Sequence, residues 1–538
     1  MRADFSKNKD LKLMVKTYSC LLVGVDVVTL EIETVIGSGF SGLSILGLSA
    51  EATRDMRERV RSALESIGIQ IPARRIVVNI TPSELAKISR LSLSQLDFAV
   101  AASIIYALHQ ENQNSAPLFF PEKQYLAGEL SLSGELKELQ NPLIYQSILL
   151  NSEIYPSLCL PVSAKEYLSL SIQHKIEFFY NLKDWYNSRK EIKNPELLKI
   201  NLSNRDKMDS QIEDEINNNS ETEFLERVKE VESIITILLK NPRICVALLV
   251  ASVGQHHILI AGEPGVGKSF ALQKILKLLN PLTEREKLDI KLIHSVVEDV
   301  ARPLRCPHHS ATPAALIGGS SLKPGEVSLA HCGVLFLDEL AEFSSSSLES
   351  LREPLDAKQV FLSRAGGNIR YPANFQLCAT TNPCACGFLF SNKKACRCHP
   401  RESRKYLQKI SGPLLDRFCL QVWAEPYQPE VDLKDPFVQQ LNNIFKNGNL
   451  SYFSRHFLRI MSLGGKELGQ EVDKFNAMNF LQNNVDFNSC SLRGQEKIIN
   501  LVNSFNLLFP EIGIDEKIIN SIMNYRILDK MFSQRNIF

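Results

Sequence analysis

An α/β fold built around a phosphate-cradling loop is predicted by three stretches of this sequence. HILIAGEPGVGKSFALQKIL holds an apolar strand at 257–261, a glycine-rich loop and an amphipathic helix in direct succession. GVLFLDEL at 333–340 is an apolar strand that ends in two acids, and QLCATTNP at 376–383 is another that ends on a polar residue. Buried strands of this kind, one feeding straight into a helix, read as α/β.

The loop carries the chemistry. Gly262, Glu263, Pro264, Gly265, Val266, Gly267, Lys268 and Ser269 fit the pattern G-x-x-x-x-G-K-[ST]. Glycines let backbone N–H groups turn inward around phosphate oxygens, and the helix N-terminus adds partial positive charge. Lys268 is placed to reach the β- and γ-phosphates of ATP, and the Ser269 hydroxyl to bind Mg²⁺. Asp338, at the end of the second strand, is expected to hold the same Mg²⁺, with Glu339 polarising the attacking water. Asn382 ends the third strand, where it can hydrogen-bond that water or the γ-phosphate. Arg417, in SGPLLDRF, is a candidate to neutralise charge on the transferring phosphoryl group from a neighbouring subunit. The plainer alternative is a salt bridge with Asp416. Arg493, in CSLRGQEKI, starts a helix and can reach a γ-phosphate or simply face solvent.

Elsewhere the pattern is mixed. VVTLEIETVI (27–36) and RRIVVNI (74–80) read as strands. Residues 50–66 read as an amphipathic helix with Met56, Val60 and Leu64 on one face, and 96–108 as an apolar helix. Residues 183–222 are rich in Asn, Lys, Glu, Asp and Ser, and are expected to form a flexible linker between an N-terminal domain (1–182) and the nucleotide core (223–426). The final segment, 427–538, reads as a helical lid.

Composition narrows the function. A net charge of +1 over 538 residues excludes a globally basic nucleic-acid binder, so any DNA contact must be local. No stretch approaches roughly 18 uninterrupted apolar residues, which argues against a membrane span. The N-terminus lacks the apolar core of a secretory signal. The 12 cysteines are mostly scattered, as suits reduced thiols in a cytoplasm.

At these residues the chain resembles the magnesium-chelatase-like AAA+ ATPases called ComM or YifB. Beyond the nucleotide motifs, the resemblance lies in RPLRCPHHSATPAALIGG (302–319), KPGEVSLAHCGVLFLDELAEF (323–343), LESLREPLD (348–356), NPCACG with CRCHP (382–400) and ISGPLLDRF (410–418). ERVRSALESIG, IPARRIVVNITPSEL and LAGELSLSGEL carry it into the N-terminal part. It implies an AAA+ core with a helix-2 insert and helical lid, preceded by an α+β domain like that of Lon protease without a working dyad. It also implies a homo-hexameric ring acting on single-stranded or branched DNA, a helicase driving branch migration during natural transformation. Lys268 and Ser269 take the Walker A roles, Asp338 and Glu339 the Walker B pair, Asn382 sensor 1, Arg417 the arginine finger and Arg493 sensor 2.

KQVFLSRAGGNIRYPANFQL (358–377) resembles the clade's pore-facing hairpin before sensor 1, and its own pattern of two strands about Gly-Gly supports this. Arg364 and, more weakly, Arg370 are then candidate phosphate-backbone contacts. Two departures stand out. A Val-Arg-Gly-Gln-type motif expected near the adenine is missing from 223–250, and KISRLSLSQLD (87–97) replaces a glycine-rich loop.

Cys384, Cys386, Cys396 and Cys398 form two C-x-C pairs that can hold a structural Zn²⁺ tetrahedrally, with His399 as an alternative ligand. His308 and His309, in PHHSAT, are read as structural or DNA-facing. Two other functions compete with a DNA motor. One is a protein-remodelling ATPase like the chelatase motor subunit. The other is a Lon-type protease using Ser92 or Ser94, although no Gly-Pro-Ser pattern surrounds either.

Overall fold

The computed structural model describes residues 14–23, 25–38, 40–82, 93–111, 118, 121, 123–139, 141–151, 157–168, 176–191, 209–294, 300–319, 323–364, 367–391, 394–424, 434–462, 492–513, 515–526 and 528. Two compact units emerge: Met1–Met208 with Lys287–Val300 and Ser363–Arg370, and Asp209–Glu286 with Ala301–Leu362 and Tyr371–Phe538.

The first unit holds β1 (Met14–Val23), β2 (Asp26–Gly37), β3 (Gly42–Leu46), α1 (Ala50–Ser66), β4 (Arg75–Thr81), α2 (Asp97–Glu111), β5 (Gln124–Leu126), α3 (Leu143–Asn151), β6 (Ser157–Pro161), β7 (Ile176–Phe179) and α4 (Leu182–Glu191). Its sheet runs β3-β4-β2-β1-β5-β6-β7. The β1–β2 and β2–β4 pairs are antiparallel, the others parallel. In α1 the predicted face of Met56, Val60 and Leu64 is buried, and the Ser49 side chain caps the helix by accepting from the Ala52 N–H. The apolar α2 packs on β1 and β2. Two polar ties cross that contact, from Thr17 Oγ1 to the Ala99 carbonyl (3.0 Å) and between Thr34 and Ser103 (2.7 Å). Ser94 lies in a 3₁₀ turn at Leu93–Leu96, while Ser92 falls outside the described residues.

Asp97, at the start of α2, is fully buried and receives the Arg59 guanidinium through two bonds, at 2.6 and 3.1 Å. Burial pushes its carboxyl up to about 7 against the pull of Arg59. Removing Arg59 strands a buried carboxylate, so Arg59→Met is expected to lose about 3–5 kcal/mol of stability at neutral pH. The folded pKa then lies further above the unfolded one, and an acid shifted that way is destabilising as pH rises. Urea unfolding should therefore show a larger deficit at pH 8 than at pH 5, and a pH-independent deficit would rule this account out.

The stretch 183–222 departs from the expected linker at both ends. Asn181 caps α4, its Oδ1 accepting from the Asp184 N–H at 2.8 Å. Trp185 is fully buried, edge-on to Phe98 and Tyr106. Arg189 is buried too, paired with Glu177 at 2.6 Å. At the other end α5 (Asp209–Leu238) has begun. Average polarity hid one tryptophan anchor and one helix start. Residues 192–208 lie outside the described residues.

The second unit begins with α5, whose Val228, Val231, Ile234, Ile235 and Leu238 are buried. It continues with α6 (Pro242–Val253), β8 (Ile258–Gly262), α7 (Lys268–Gln273), β9 (Leu304–Arg305), β10 (Val334–Leu337), α8 (Ser345–Ser350), α9 (Arg352–Ala357), β11 (Gln359–Arg364), β12 (Gly367–Pro372), β13 (Gln376–Thr381), α10 (Pro400–Gln408), α11 (Gly412–Leu415), β14 (Leu420–Ala424), α12 (Pro436–Lys446), α13 (Leu450–Ser462), α14 (Leu492–Leu508) and α15 (Glu516–Met523). Its five-stranded sheet is wholly parallel in the order β14-β8-β13-β10-β9. Every residue of β8, β10, β13 and β14 is buried, as expected of a parallel sheet covered on both faces. One apolar cluster joins Ile258 and Val422 of the sheet with Phe437, Phe457 and Phe505 of the C-terminal helices. β11 and β12 form the predicted hairpin. Among the described residues, no helix is long and apolar enough to cross a membrane.

Candidate active site

The strand order brings three ends together. β8 lies between β14 and β13, and β10 lies on the far side of β13. The carboxyl ends of β8, β13 and β10, the predicted strands, therefore open on one crevice, where parallel sheets bind ligands. At the end of β8, Gly265 (φ 82°) and Gly267 (φ 87°) take left-handed backbone that side chains resist. That conformation lets the loop wrap before α7 begins at Lys268.

The Lys268 ammonium is nearly buried, with three acceptors around it. It donates to the Gly262 and Glu263 carbonyls, both at 2.8 Å, and to Asn382 Oδ1 at 3.0 Å. Ser269 Oγ donates to Asp338 Oδ1 at 2.8 Å. Lys268, Ser269, Asp338 and Asn382 thus meet in one network. Asp338 and Glu339 are exposed at the end of a buried strand, with Glu339 in left-handed backbone (φ 54°, ψ 52°). Thr380 was not anticipated from sequence. Its hydroxyl donates to Asp338 and accepts from the Glu339 N–H at 3.1 Å, so it sets both acids. Its one signal was a threonine pair, Thr380 and Thr381, closing a buried strand.

Burial draws the Lys268 amine down to about 8, opposed by Asp338, Glu339 and Glu263. Anionic phosphates restore the proton, so nucleotide binding above that pH takes one up. ATP affinity is expected to fall by up to about tenfold per pH unit between pH 8 and 10. A fluorescent-nucleotide titration at pH 7, 8 and 9 measures this, and a flat profile would place the lysine away from the phosphates.

The arginines divide. Arg417 is 8% exposed at its side chain. Its Nη2 donates to Asp356 at 2.5 Å and its Nη1 to the Pro413 carbonyl at 2.6 Å. Asp416, the partner weighed from sequence, pairs with Arg526 instead, at 3.5 Å. Adjacent residues at a helix end point to different sides, which separates the two. Arg370 is paired with Asp26 at 2.8 Å, both groups well exposed. Such a pair contributes about 0–1 kcal/mol and is readily exchanged. Arg364 lies in β11 and Arg493 in α14, their side chains outside the described residues.

The four cysteines converge. All their sulfurs lie within 4.8 Å of one another, with Cys384–Cys386, Cys386–Cys396 and Cys384–Cys396 at 3.4, 3.5 and 3.7 Å. A tetrahedral Zn–S₄ centre with bonds of ~2.3 Å places sulfurs ~3.8 Å apart, so the set fits that ion. Burial resists ionisation of Cys386, yet the Arg397 and Phe388 N–H groups draw its thiol down to about 6. His399 is not a member of the set: it caps α10, its Nδ1 accepting from the Arg401 N–H at 3.3 Å. His308 and His309 are exposed, their rings tilted by 36° with centroids 4.0 Å apart, and His308 Nδ1 lies 2.9 Å from Ser310 Oγ. The cysteine loop abuts the nucleotide loop, since a Cβ on Gly387 would lie 2.4 Å from Pro264 Cγ.

Comparison with known proteins agrees with this site. The family model for magnesium chelatase, subunit ChlI, matches residues 239–431, and a second, for subunit ChlI of Mg-chelatase, matches 32–155. The uncharacterized protein YifB of Salmonella typhimurium is 27% identical over 522 residues, covering 95% of this chain and 96% of that protein. Competence protein ComM of Haemophilus influenzae is 30% identical over 433 residues, 78% of this chain and 77% of its own length. An uncharacterized protein of Mycobacterium tuberculosis is 32% identical over 420 residues, 76% of each chain. With relatives of this identity and coverage, and a site of this composition, the chain belongs to the ComM/YifB family of magnesium-chelatase-like AAA+ proteins, a family of ATP- and Mg²⁺-using ATPases.

Proposed function

We propose that this chain is a ring-forming, ATP-driven DNA motor of the cytoplasm, a helicase that promotes branch migration when incoming DNA recombines. The observation that carries the reading is the joint placement of the nucleotide network and the hairpin. β12 leads through 373–375 into β13, the strand that ends at Thr380, Thr381 and Asn382. A change at the γ-phosphate felt by Asn382 therefore has a short covalent route to the β11–β12 hairpin, with Arg364 and Arg370 as its DNA contacts. Similarity to a protein named for competence favours DNA as the track. In a homo-hexamer, Arg417 serves as the finger and Arg493 as sensor 2 at subunit boundaries. The helices from Pro436 onward act as the lid, and the first unit as a Lon-like domain without protease activity.

Cys384, Cys386, Cys396 and Cys398 would hold a structural Zn²⁺ that closes the loop at 384–398 against Pro264. The ion would supply a rigid cross-link there. The matches to the chelatase subunit favour one second reading, a motor that remodels a protein.

ATP turnover with and without single-stranded and forked DNA, alongside mass determination in ATP, separates the readings. DNA-stimulated turnover in a hexamer is expected, and Arg364→Ala should weaken DNA binding and flatten its salt dependence. Turnover indifferent to every DNA form would leave the remodelling motor in its place.

A further inference from the structure

Arg417 is tied to the segment that launches the hairpin. Its carboxylate partner, Asp356, lies in α9, which ends at Lys358 in left-handed backbone (φ 54°). β11 starts at the next residue. The Lys358 carbonyl also closes the base of the hairpin, accepting from the Ala373 N–H at 2.8 Å. A second tie runs parallel to the first: Ser411, which caps α11, donates to Glu349 in α8. The loop bearing Arg417 thus holds α8–α9 at two points. It then runs into β14, whose Ala424 pairs with Gly262 at the nucleotide loop.

We propose that Asp356 is a positioning residue that holds Arg417 in reserve, and that departure of Arg417 to a neighbouring nucleotide is passed through α9 to the β11–β12 hairpin. This rests on the reading of Arg417 as the arginine donated across the ring. The donor inventory favours a change of partner. Arg417 Nε is buried and has no partner among the described residues, so the guanidinium fork engages Asp356 through Nη2 alone. A γ-phosphate offers two oxygens to Nε and Nη2 together, and more negative charge than one carboxylate. Asp356 is 37% exposed at its side chain, so losing its arginine leaves a carboxylate that water can reach. Once Arg417 leaves, the Ser411–Glu349 tie still holds α8, while α9 loses its direct hold on the Arg417 loop and Lys358 can carry the base of the hairpin with it.

Hydrogen exchange of peptides covering 359–372 in the full-length protein, with and without a slowly hydrolysed ATP analogue, tests this. The native chain should show a several-fold nucleotide-dependent change in hairpin exchange. Asp356→Asn should abolish that change while ATP turnover persists, with turnover raised in the absence of DNA. Asp356→Glu, which keeps the charge, should restore both. If Asp356→Asn leaves the guanidinium uncompensated and fails to fold, Arg417→Gln provides the same reading, since the one charge it leaves unpaired is the water-accessible Asp356 carboxylate, and it must also silence the hairpin. A hairpin that keeps its nucleotide response in Asp356→Asn or Arg417→Gln, while Arg417→Ala stops hydrolysis, overturns the proposal and leaves the finger intact. Full turnover in Arg417→Ala removes the finger reading and this proposal together.

Discussion

Replacing Glu339 by glutamine is expected to cut ATP turnover by about 10²- to 10⁴-fold while ATP stays bound. Glutamine keeps the size and hydrogen-bonding shape of the side chain but cannot take a proton from water. The phosphate-binding parts are separate from it: Lys268 is oriented by Gly262, Glu263 and Asn382, and Ser269 by Asp338. The backbone N–H of residue 339 remains available to Thr380. The variant should therefore collect in an ATP-bound state, and assembled rings should accumulate. Nucleotide binding by fluorescence and single-turnover hydrolysis measure the two halves of the expectation. Loss of ATP binding would move Glu339 from water activation to metal or phosphate binding.

What could be read in advance follows from how local each feature is. The nucleotide loop was legible because its glycines, lysine and serine are contiguous, and their spacing alone dictates a strand, a turn and a helix. Asp338 and Asn382 were legible as polar ends of buried strands. The hairpin was legible from its glycine turn. Thr380 was not, because its role needs β13 to lie beside β10, a pairing set by the whole sheet. The Arg417–Asp356 pair was hidden for the same reason, its members lying 61 positions apart. Spacing pointed to the cysteine set but left His399 open as a ligand, and the four sulfurs cluster without it. At the expected linker, composition averaged over a polar stretch could not register Trp185, a single buried side chain that anchors α4.

Arg417→Ala is expected to lower turnover by about 10³- to 10⁵-fold, the range for an arginine that neutralises the transferring phosphoryl group. Unfolding is a poor explanation for such a loss in advance. Asp356 is partly solvated, so water can take the place of the partner it loses. The defect should also be curable by mixing. A Lys268→Ala chain cannot bind the triphosphate but still offers its arginine, and an Arg417→Ala chain binds ATP but offers none. In a mixed ring, some boundaries join an intact Lys268 to an intact Arg417, and those boundaries hydrolyse ATP although neither parent does. Turnover should peak near equal mixing and vanish toward either pure variant. A protein that stays monomeric in ATP, or a mixture as inert as its parents, would mean that Arg417 serves its own chain. Its bond to Asp356 would then be a structural tie.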